Sequence, residues 1–162
     1  MNILVTAIGS MSAESVIKSL QNLKRARVIG CNLYPASWTP ASKLVCQFYQ
    51  VSSGKEEDKY ISELLEICKK ESINYIIALT APEIDALSKN FNCFSERGIT
   101  LCMSSFEAIS TARNKLAVYN KFKSNEKIKV IKTWDLQDIS YKSNNSPLIA
   151  KPKEGRSSEG IY

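Results

Sequence analysis

The sequence predicts an α/β protein whose larger part is an open, mostly parallel β-sheet covered by helices. Over the first 110 residues, short apolar segments with strand character alternate with amphipathic segments of helical period. This alternation is typical of β-α-β units, whose parallel strands are joined by right-handed helical crossovers. The apolar segments are also nearly free of charge, as expected for central strands covered on both faces.

The first unit of this kind occupies the N-terminus. Residues 2–8 form an almost uninterrupted apolar run that ends at Gly9, and residues 28–33 form the second strand. Between them the pattern predicts a helix with Ser10 or Ser12 as its N-cap. The buried face of that helix is predicted to carry Val16, Ile17, Leu20 and Leu23.

The turn after the first strand is a poor match to a dinucleotide site. The G-x-G-x-x-G fingerprint needs three glycines, and only Gly9 is present. Asn32 stands near the end of the second strand, where a ribose-binding carboxylate would be expected. NAD binding is therefore disfavoured, and a close turn without a ligand is preferred to an anion site at the helix N-terminus.

Three further strands and two helices are predicted before residue 104. Residues 34–45 are rich in proline and serine and are predicted to be a loop, followed by strands at 46–51, 75–79 and 99–103. The clearest amphipathic helix covers residues 56–71. Its predicted apolar face consists of Tyr60, Ile61, Leu64, Leu65 and Cys68. The next helix is predicted to have Pro82 in its first turn and to bury Ile84, Leu87 and Phe91.

Glu83 is a candidate ligand-binding residue. It follows the strand at 75–79, and open α/β sheets place ligands at the carboxyl ends of their strands. A carboxylate in the first turn of a helix is also favoured by the helix dipole alone. Both explanations stay open, and the dipole is the preferred one.

Cation-rich elements fill the last third of the chain. A short helix capped by Ser104 or Ser105 is predicted to run to Ala112. In residues 127–134 apolar and polar side chains roughly alternate with period two, which predicts a strand with one solvent-exposed face. The net charge of +6 arises here: residues 1–110 hold 11 Lys/Arg and 11 Asp/Glu, whereas residues 111–162 hold 11 and 5. A nucleic-acid partner is disfavoured because no recognised binding motif accompanies the charge. A phosphate-bearing ligand and a solvated lysine-rich face are the two remaining explanations.

The C-terminal segment has the features of a phosphate-binding hairpin. Residues 148–150 form a short apolar strand, and Lys151 precedes Pro152, which biases the Lys151 backbone to extended geometry. The loop that follows contains two glycines and two serines. Such a loop can bend around an anion and offer backbone N–H groups to it. Its members are Gly155, Arg156, Ser157, Ser158, Glu159 and Gly160. A solvated surface hairpin with incidental charge is the alternative.

Composition excludes several kinds of site. The chain has no histidine, which removes His-based acid–base catalysis and imidazole zinc sites. Its five cysteines are scattered without a C-x-x-C pair, so metal and redox sites are disfavoured and buried free thiols in a reducing compartment are expected. No apolar run approaches the ~20 residues that span a bilayer. A cytoplasmic protein without a membrane partner is expected.

The C-terminal segment resembles the first nucleotide-binding hairpin of the ATP-grasp superfamily, in the branch similar to the carbamoyl-phosphate synthase large subunit. The resemblance extends to the Rossmann-like pre-ATP-grasp domain that precedes the nucleotide fold in that superfamily. The matching segments are residues 3–6, 35–43, 60–65 and 79–84. It implies a domain at residues 1–112 and the first strands of an incomplete α+β ATP-grasp subdomain at residues 113–162.

The resemblance also assigns roles to individual residues. Relatives carry an Asp-Lys or Asp-Arg pair where this chain has Asn114 and Lys115, so Lys115 is expected to contact ATP phosphates together with Lys151 and the glycine-serine loop. Glu83 is a candidate substrate-side residue. No catalytic residue and no metal ligand is assigned within these residues.

The activity implied is that of an ATP-dependent carboxylate–amine ligase acting through an acyl phosphate. The chain is expected to be its N-terminal part, not competent alone, with ATP as cofactor and Mg²⁺ bound only in the complete protein. Expected partners are a small carboxylate substrate and a second copy or a C-terminal part. The alternative is a non-catalytic α/β module whose open sheet edge pairs with a partner chain.

Overall fold

A computed structural model describes residues 1–138, 148–155 and 160. The chain divides into two compact units, unit 1 at Met1–Ser104 and unit 2 at Ser105–Tyr162. The prediction that residues 113–162 begin a nucleotide-binding subdomain stays a prediction. The loop residues Arg156, Ser157 and Ser158 lie outside the described residues.

Unit 1 is built on a five-stranded sheet with strand order β3-β2-β1-β4-β5. All four strand pairs are parallel, which confirms the predicted α/β fold class. In the register, Leu4 of β1 lies opposite Ile29 on one side and Ile76 on the other. The strands are β1 (Asn2–Val5), β2 (Arg27–Asn32), β3 (Gln47–Gln50), β4 (Tyr75–Ile77) and β5 (Thr100–Leu101).

Helices connect these strands, as the alternating pattern predicts. The helices of unit 1 are α1 (Ala13–Gln21), α2 (Glu57–Glu71), α3 (Ala81–Lys89) and α4 (Phe91–Ser95). Pro82 lies in the first turn of α3, where its missing N–H costs no helical hydrogen bond. The predicted loop at residues 34–45 contains two 3₁₀ turns, Ala36–Trp38 and Pro40–Leu44.

Two hydrophobic clusters form the core of unit 1. The larger cluster packs α2 and α3 against the sheet through Tyr60, Leu64 and Leu87, all fully buried. The smaller cluster packs α1 through Ala13 and Ile17. Full burial of one such large side chain stabilises a fold by about 1.5–3 kcal/mol. The two clusters therefore hold the helices firmly against the sheet.

Some side chains predicted to be buried or capping are not. Leu23 follows α1 and is 47% exposed. Phe91 is the first residue of the separate helix α4 and is 42% exposed. Ser12 occupies the N-cap position of α1 but makes no side-chain capping hydrogen bond. Two of the five thiols, those of Cys46 and Cys102, are exposed.

Unit 2 contains α5 (Phe106–Arg113), α6 (Lys115–Phe122) and a 3₁₀ turn at Leu136–Asp138. Ser105 caps α5 as predicted, its Oγ accepting a hydrogen bond from the Ala108 N–H. The strands predicted at 127–134 and 148–150 are absent from the described part of this unit. A strand needs a paired edge and a covered face, whereas Ile131 and Ile149 are 86% and 73% exposed.

No helix in the described ranges is both long enough and apolar enough to cross a membrane.

Candidate functional site

In unit 2 the structure brings the start of α6 against the segment that follows Lys151. The Lys115 backbone N–H donates to the Lys153 carbonyl at 3.0 Å. The Lys115 Nζ donates to the Pro152 carbonyl at 2.9 Å and lies 3.4 Å from the Lys153 carbonyl. The two elements that the family resemblance predicts to contact ATP phosphates are therefore in direct contact.

Asn114 fixes the position of Lys115. Its Oδ1 accepts hydrogen bonds from the backbone N–H groups of Leu116 at 3.1 Å and Ala117 at 3.0 Å. Asparagine and aspartate are equally good N-caps. Asn114 thus preserves the capping function of the Asp that stands there in the family pattern, without its charge, and holds Lys115 as the first residue of α6.

The chain returns to Pro152 at the end of the glycine-serine loop. Gly160 has a φ of 69°, and a Cβ at this position would lie 2.9 Å from the Pro152 Cγ. Glycine is required by both the backbone conformation and the close approach. Lys151 and Gly155 are exposed. The structure therefore places Gly160 beside Pro152, which directly follows Lys151.

One acidic side chain lies beside this cationic segment. Lys153 forms an ion pair with Asp135, and the resulting hydrogen bond from Lys153 is the main reason that the pKa of Asp135 lies below its usual value. Asp135 and Lys153 are therefore engaged with each other, whereas the Lys115 ammonium donates to the backbone carbonyls of Pro152 and Lys153.

In unit 1 the candidate residue Glu83 lies at the switch point of the sheet. The strand order reverses between β1 and β4, and open α/β sheets bind ligands at that point. Thr6 follows β1 and Thr80 follows β4. Both hydroxyls donate to Glu83 Oε2, at 2.8 Å from Thr6 and 3.1 Å from Thr80. Glu83 thereby joins the ends of the two strands.

Burial sets the protonation of Glu83. Its side chain belongs to a residue only 7% exposed, and desolvation is the largest cause of a pKa raised above the usual carboxylate value. Hydrogen bonds from Thr6 and Thr80 act in the opposite direction but do not cancel it. The neutral, protonated form of Glu83 is therefore favoured more than in an exposed glutamate.

Two further polar groups of this region were missed by sequence reasoning. Tyr60 was predicted only as part of the apolar face of α2, yet its buried hydroxyl lies near Thr6 and Glu83 without a hydrogen bond of normal geometry among the described residues. Burial raises the pKa of Tyr60 strongly, and the nearby Glu83 carboxylate raises it further. Burial likewise raises the pKa of the Cys31 thiol. Helical periodicity identifies such side chains as inward-facing but not what their polar atoms meet.

The first β-α turn packs against the side chain of Asn32, the last residue of β2. Asn32 Nδ2 donates to Thr39 Oγ1 at 2.8 Å, and a Cβ at Gly9 would lie 2.7 Å from the same nitrogen. The amide at the position of a ribose-binding carboxylate is thus used to anchor the loop after β2. This arrangement agrees with the expectation of a close turn.

Metal ligands are not grouped in the part of the chain that the structure describes: no three His, Cys, Asp or Glu side chains lie close enough to hold an ion. The described residues therefore do not fit a resident Mg²⁺ site.

Comparisons with solved structures support the fold. The chain is similar to the L-amino acid ligase from Bacillus licheniformis, with a TM-score of 0.64 and 13% identity over 95% of this chain and 37% of that one. It is also similar to the biotin carboxylase domain of Hydrogenobacter thermophilus 2-oxoglutarate carboxylase, a structure in complex with MgADP, ADP and bicarbonate. That match has a TM-score of 0.53 and 15% identity over 75% of this chain and 26% of that one. The chain thus spans little more than a third of the length of the ligase.

Sequence comparison identifies the family from unit 1. The family model described as PylC-like, N-terminal domain matches residues 3–102, which is nearly the whole of unit 1. No curated protein matches the chain significantly.

Proposed function

The chain belongs to the family of PylC-like N-terminal domains, and we propose that it is the N-terminal part of an ATP-grasp ligase that joins a carboxylate to an amine or a related nucleophile. The fold likeness to an L-amino acid ligase over 95% of this chain supports the proposal. Within the superfamily we place it nearest the carbamoyl-phosphate synthase branch, on the motifs at residues 79–84 and 151–160.

The contact between Lys115 and the Pro152–Lys153 backbone carries the ATP part of the proposal. A triphosphate is neutralised best by cations that approach from more than one element. The start of α6 supplies Lys115, and the neighbouring segment supplies Lys151 with the backbone of Gly155 and Gly160. Arg156, Ser157 and Ser158, which lie outside the described residues, complete the proposed ATP contacts.

The proposed reaction has two steps. A carboxylate oxygen of the substrate attacks the γ-phosphorus of ATP, ADP leaves, and an acyl phosphate forms. The nucleophile then attacks the acyl carbon and inorganic phosphate leaves. In the complete protein Mg²⁺ would neutralise the developing phosphate charge, whereas Lys115 and Lys151 would hold and orient the phosphates.

Glu83 is proposed to contribute to the substrate side of the site. It lies at the switch point, where the fold places ligands, and its carboxyl is held by Thr6 and Thr80. Its burial supports a role in shaping the crevice at the ends of β1 and β4.

Acyl-phosphate trapping tests the proposed function. Full-length protein incubated with ATP, Mg²⁺, a panel of small carboxylates and hydroxylamine is expected to form ADP and a hydroxamate in equal amounts. The 162-residue chain alone is expected to form neither, because its described residues group no metal carboxylates. ADP formation without hydroxamate for every carboxylate, or turnover by the isolated chain, would contradict the proposal. Binding of a partner chain without any turnover would favour the non-catalytic module.

A further inference from the structure

A small cleft in unit 1 is lined by residues at the end of the edge strand β3 and on helix α2. Its volume is about 260 Å³, just below the ~300–1,000 Å³ typical of pockets for drug-sized ligands. The lining combines an apolar floor with charged groups of both signs. It includes Tyr49, Val51, Glu63, Glu66, Ile67 and Lys70.

Two walls of the cleft are fixed by hydrogen bonds. The Tyr49 hydroxyl donates to Glu71 Oε1, and Arg27 holds the other oxygen of the same carboxylate at 2.6 Å. The Glu63 carboxylate accepts from both the backbone N–H and the hydroxyl of Ser52, at 2.6 and 2.9 Å. Glu63 is therefore occupied, and Tyr49 is held in place without a ligand.

The two remaining charges of the cleft differ in sign and lie one helical turn apart. Glu66 and Lys70 are both exposed, and their i, i+4 spacing on α2 puts them on one face. Instead of forming an ion pair with Glu66, Lys70 places its Nζ over the Tyr49 ring, 5.1 Å from the centroid. A carboxylate and an ammonium of α2 thus line the same cleft as Tyr49, Val51 and Ile67.

We propose that this cleft binds a free α-amino acid with an aliphatic side chain. The ligand ammonium would bind Glu66, its carboxylate would bind Lys70, and its side chain would cover the apolar floor. A zwitterion can pair with Glu66 and with Lys70, whose Nζ lies over the Tyr49 ring, and the cleft volume suits a molecule of this size. Its lining includes neither Glu83 nor any residue proposed to contact ATP, so the inference does not depend on the proposed ligase activity.

Titration followed by backbone NMR tests the site on the chain without ATP. L-leucine is expected to shift the amides of residues 49–51 and 63–70 saturably in the millimolar range. N-acetyl-L-leucine lacks the ammonium and L-leucinamide lacks the carboxylate, so each is expected to bind about tenfold more weakly. Glycine, which cannot cover the floor, is expected to bind several-fold more weakly.

Variants separate a specific site from a general charge effect. Glu66→Gln and Lys70→Gln are each expected to weaken leucine binding by about tenfold. Lys69→Gln removes the same charge from the neighbouring exposed position, which is not part of the lining, and is expected to leave binding unchanged. Absence of saturable shifts, equal binding of the acetylated ligand, or equal effects of Lys69→Gln and Lys70→Gln would overturn the proposal.

Discussion

The two compact units differ in how their structure is stabilised. Unit 1 contains 23 buried hydrophobic residues, including the fully buried Leu4, Ile29 and Ile76. In unit 2 no described residue is buried. Its helices rest instead on the caps at Ser105 and Asn114 and on contacts between α5 and α6.

This difference separates the scaffold from the proposed chemistry. Apolar burial is the dominant favourable term in folding, so unit 1 has its own source of stability, and the family match covers nearly all of it. The residues proposed to hold ATP all lie in unit 2, where hydrogen bonds at exposed positions set the geometry. The two units are therefore expected to respond differently to the same kind of substitution.

The largest expected effect comes from isoleucine truncation in each unit. Ile76→Ala removes a fully buried side chain from β4 and is expected to lower the free energy of unfolding of unit 1 by about 2–5 kcal/mol. Ile131→Ala removes a side chain that is 86% exposed and is expected to change the stability by less than about 0.5 kcal/mol.

Denaturant titrations can follow each unit separately, because Trp38 lies in unit 1 and Trp134 in unit 2 and the sequence has no other tryptophan. A Trp134→Phe background reports Ile76→Ala through Trp38, and a Trp38→Phe background reports Ile131→Ala through Trp134. Equal destabilisation by the two truncations would contradict the claim that apolar burial stabilises unit 1 but not unit 2.

A smaller effect is expected from the pH dependence of unit 1. The folded-state pKa of Glu83 is raised by burial, so the folded state retains a proton that the unfolded chain releases. This stabilising contribution is complete below the unfolded pKa of about 4.3 and is lost as the pH rises through the folded pKa. Glu83→Gln cannot titrate and is expected to flatten that decline.

The measurement is the free energy of unfolding at a series of pH values, with Glu57→Gln as a control. Glu57 is paired with Lys89, and its pKa is lowered, so its contribution has the opposite sign: it is present above the unfolded pKa and lost as the pH falls. The same change of pH slope in both variants would contradict the assignment to Glu83.

The fold of unit 1 could be predicted from the sequence because its signals are local. Apolar runs, the glycine after β1, the helical period of residues 57–71 and Pro82 each point to the same β-α alternation. Strand order is a non-local property and had to come from the structure. The same holds for the hydrogen bond from Thr6 to Glu83, two residues that are 77 positions apart in the sequence.

The site could be predicted only in part. Lys115 and Lys151 were selected by family resemblance, and their neighbouring placement depends on the contact of Lys115 with the 152–153 backbone. The period-two pattern of residues 127–134 predicted a strand wrongly, because alternation does not supply a pairing partner. The buried hydroxyl of Tyr60 gave no sequence signal distinct from that of an apolar side chain.

The most direct test of the nucleotide proposal is an ATP titration of the full-length protein carrying single lysine substitutions. Lys115→Ala and Lys151→Ala are each expected to weaken ATP binding by about tenfold or more, since each removes a charge-assisted contact to phosphate. Lys129→Ala removes an exposed charge from the same unit and is expected to change the Kd by less than about twofold. Equal losses in all three variants would show that only the net charge of unit 2 matters and would contradict the assignment of these two lysines to ATP.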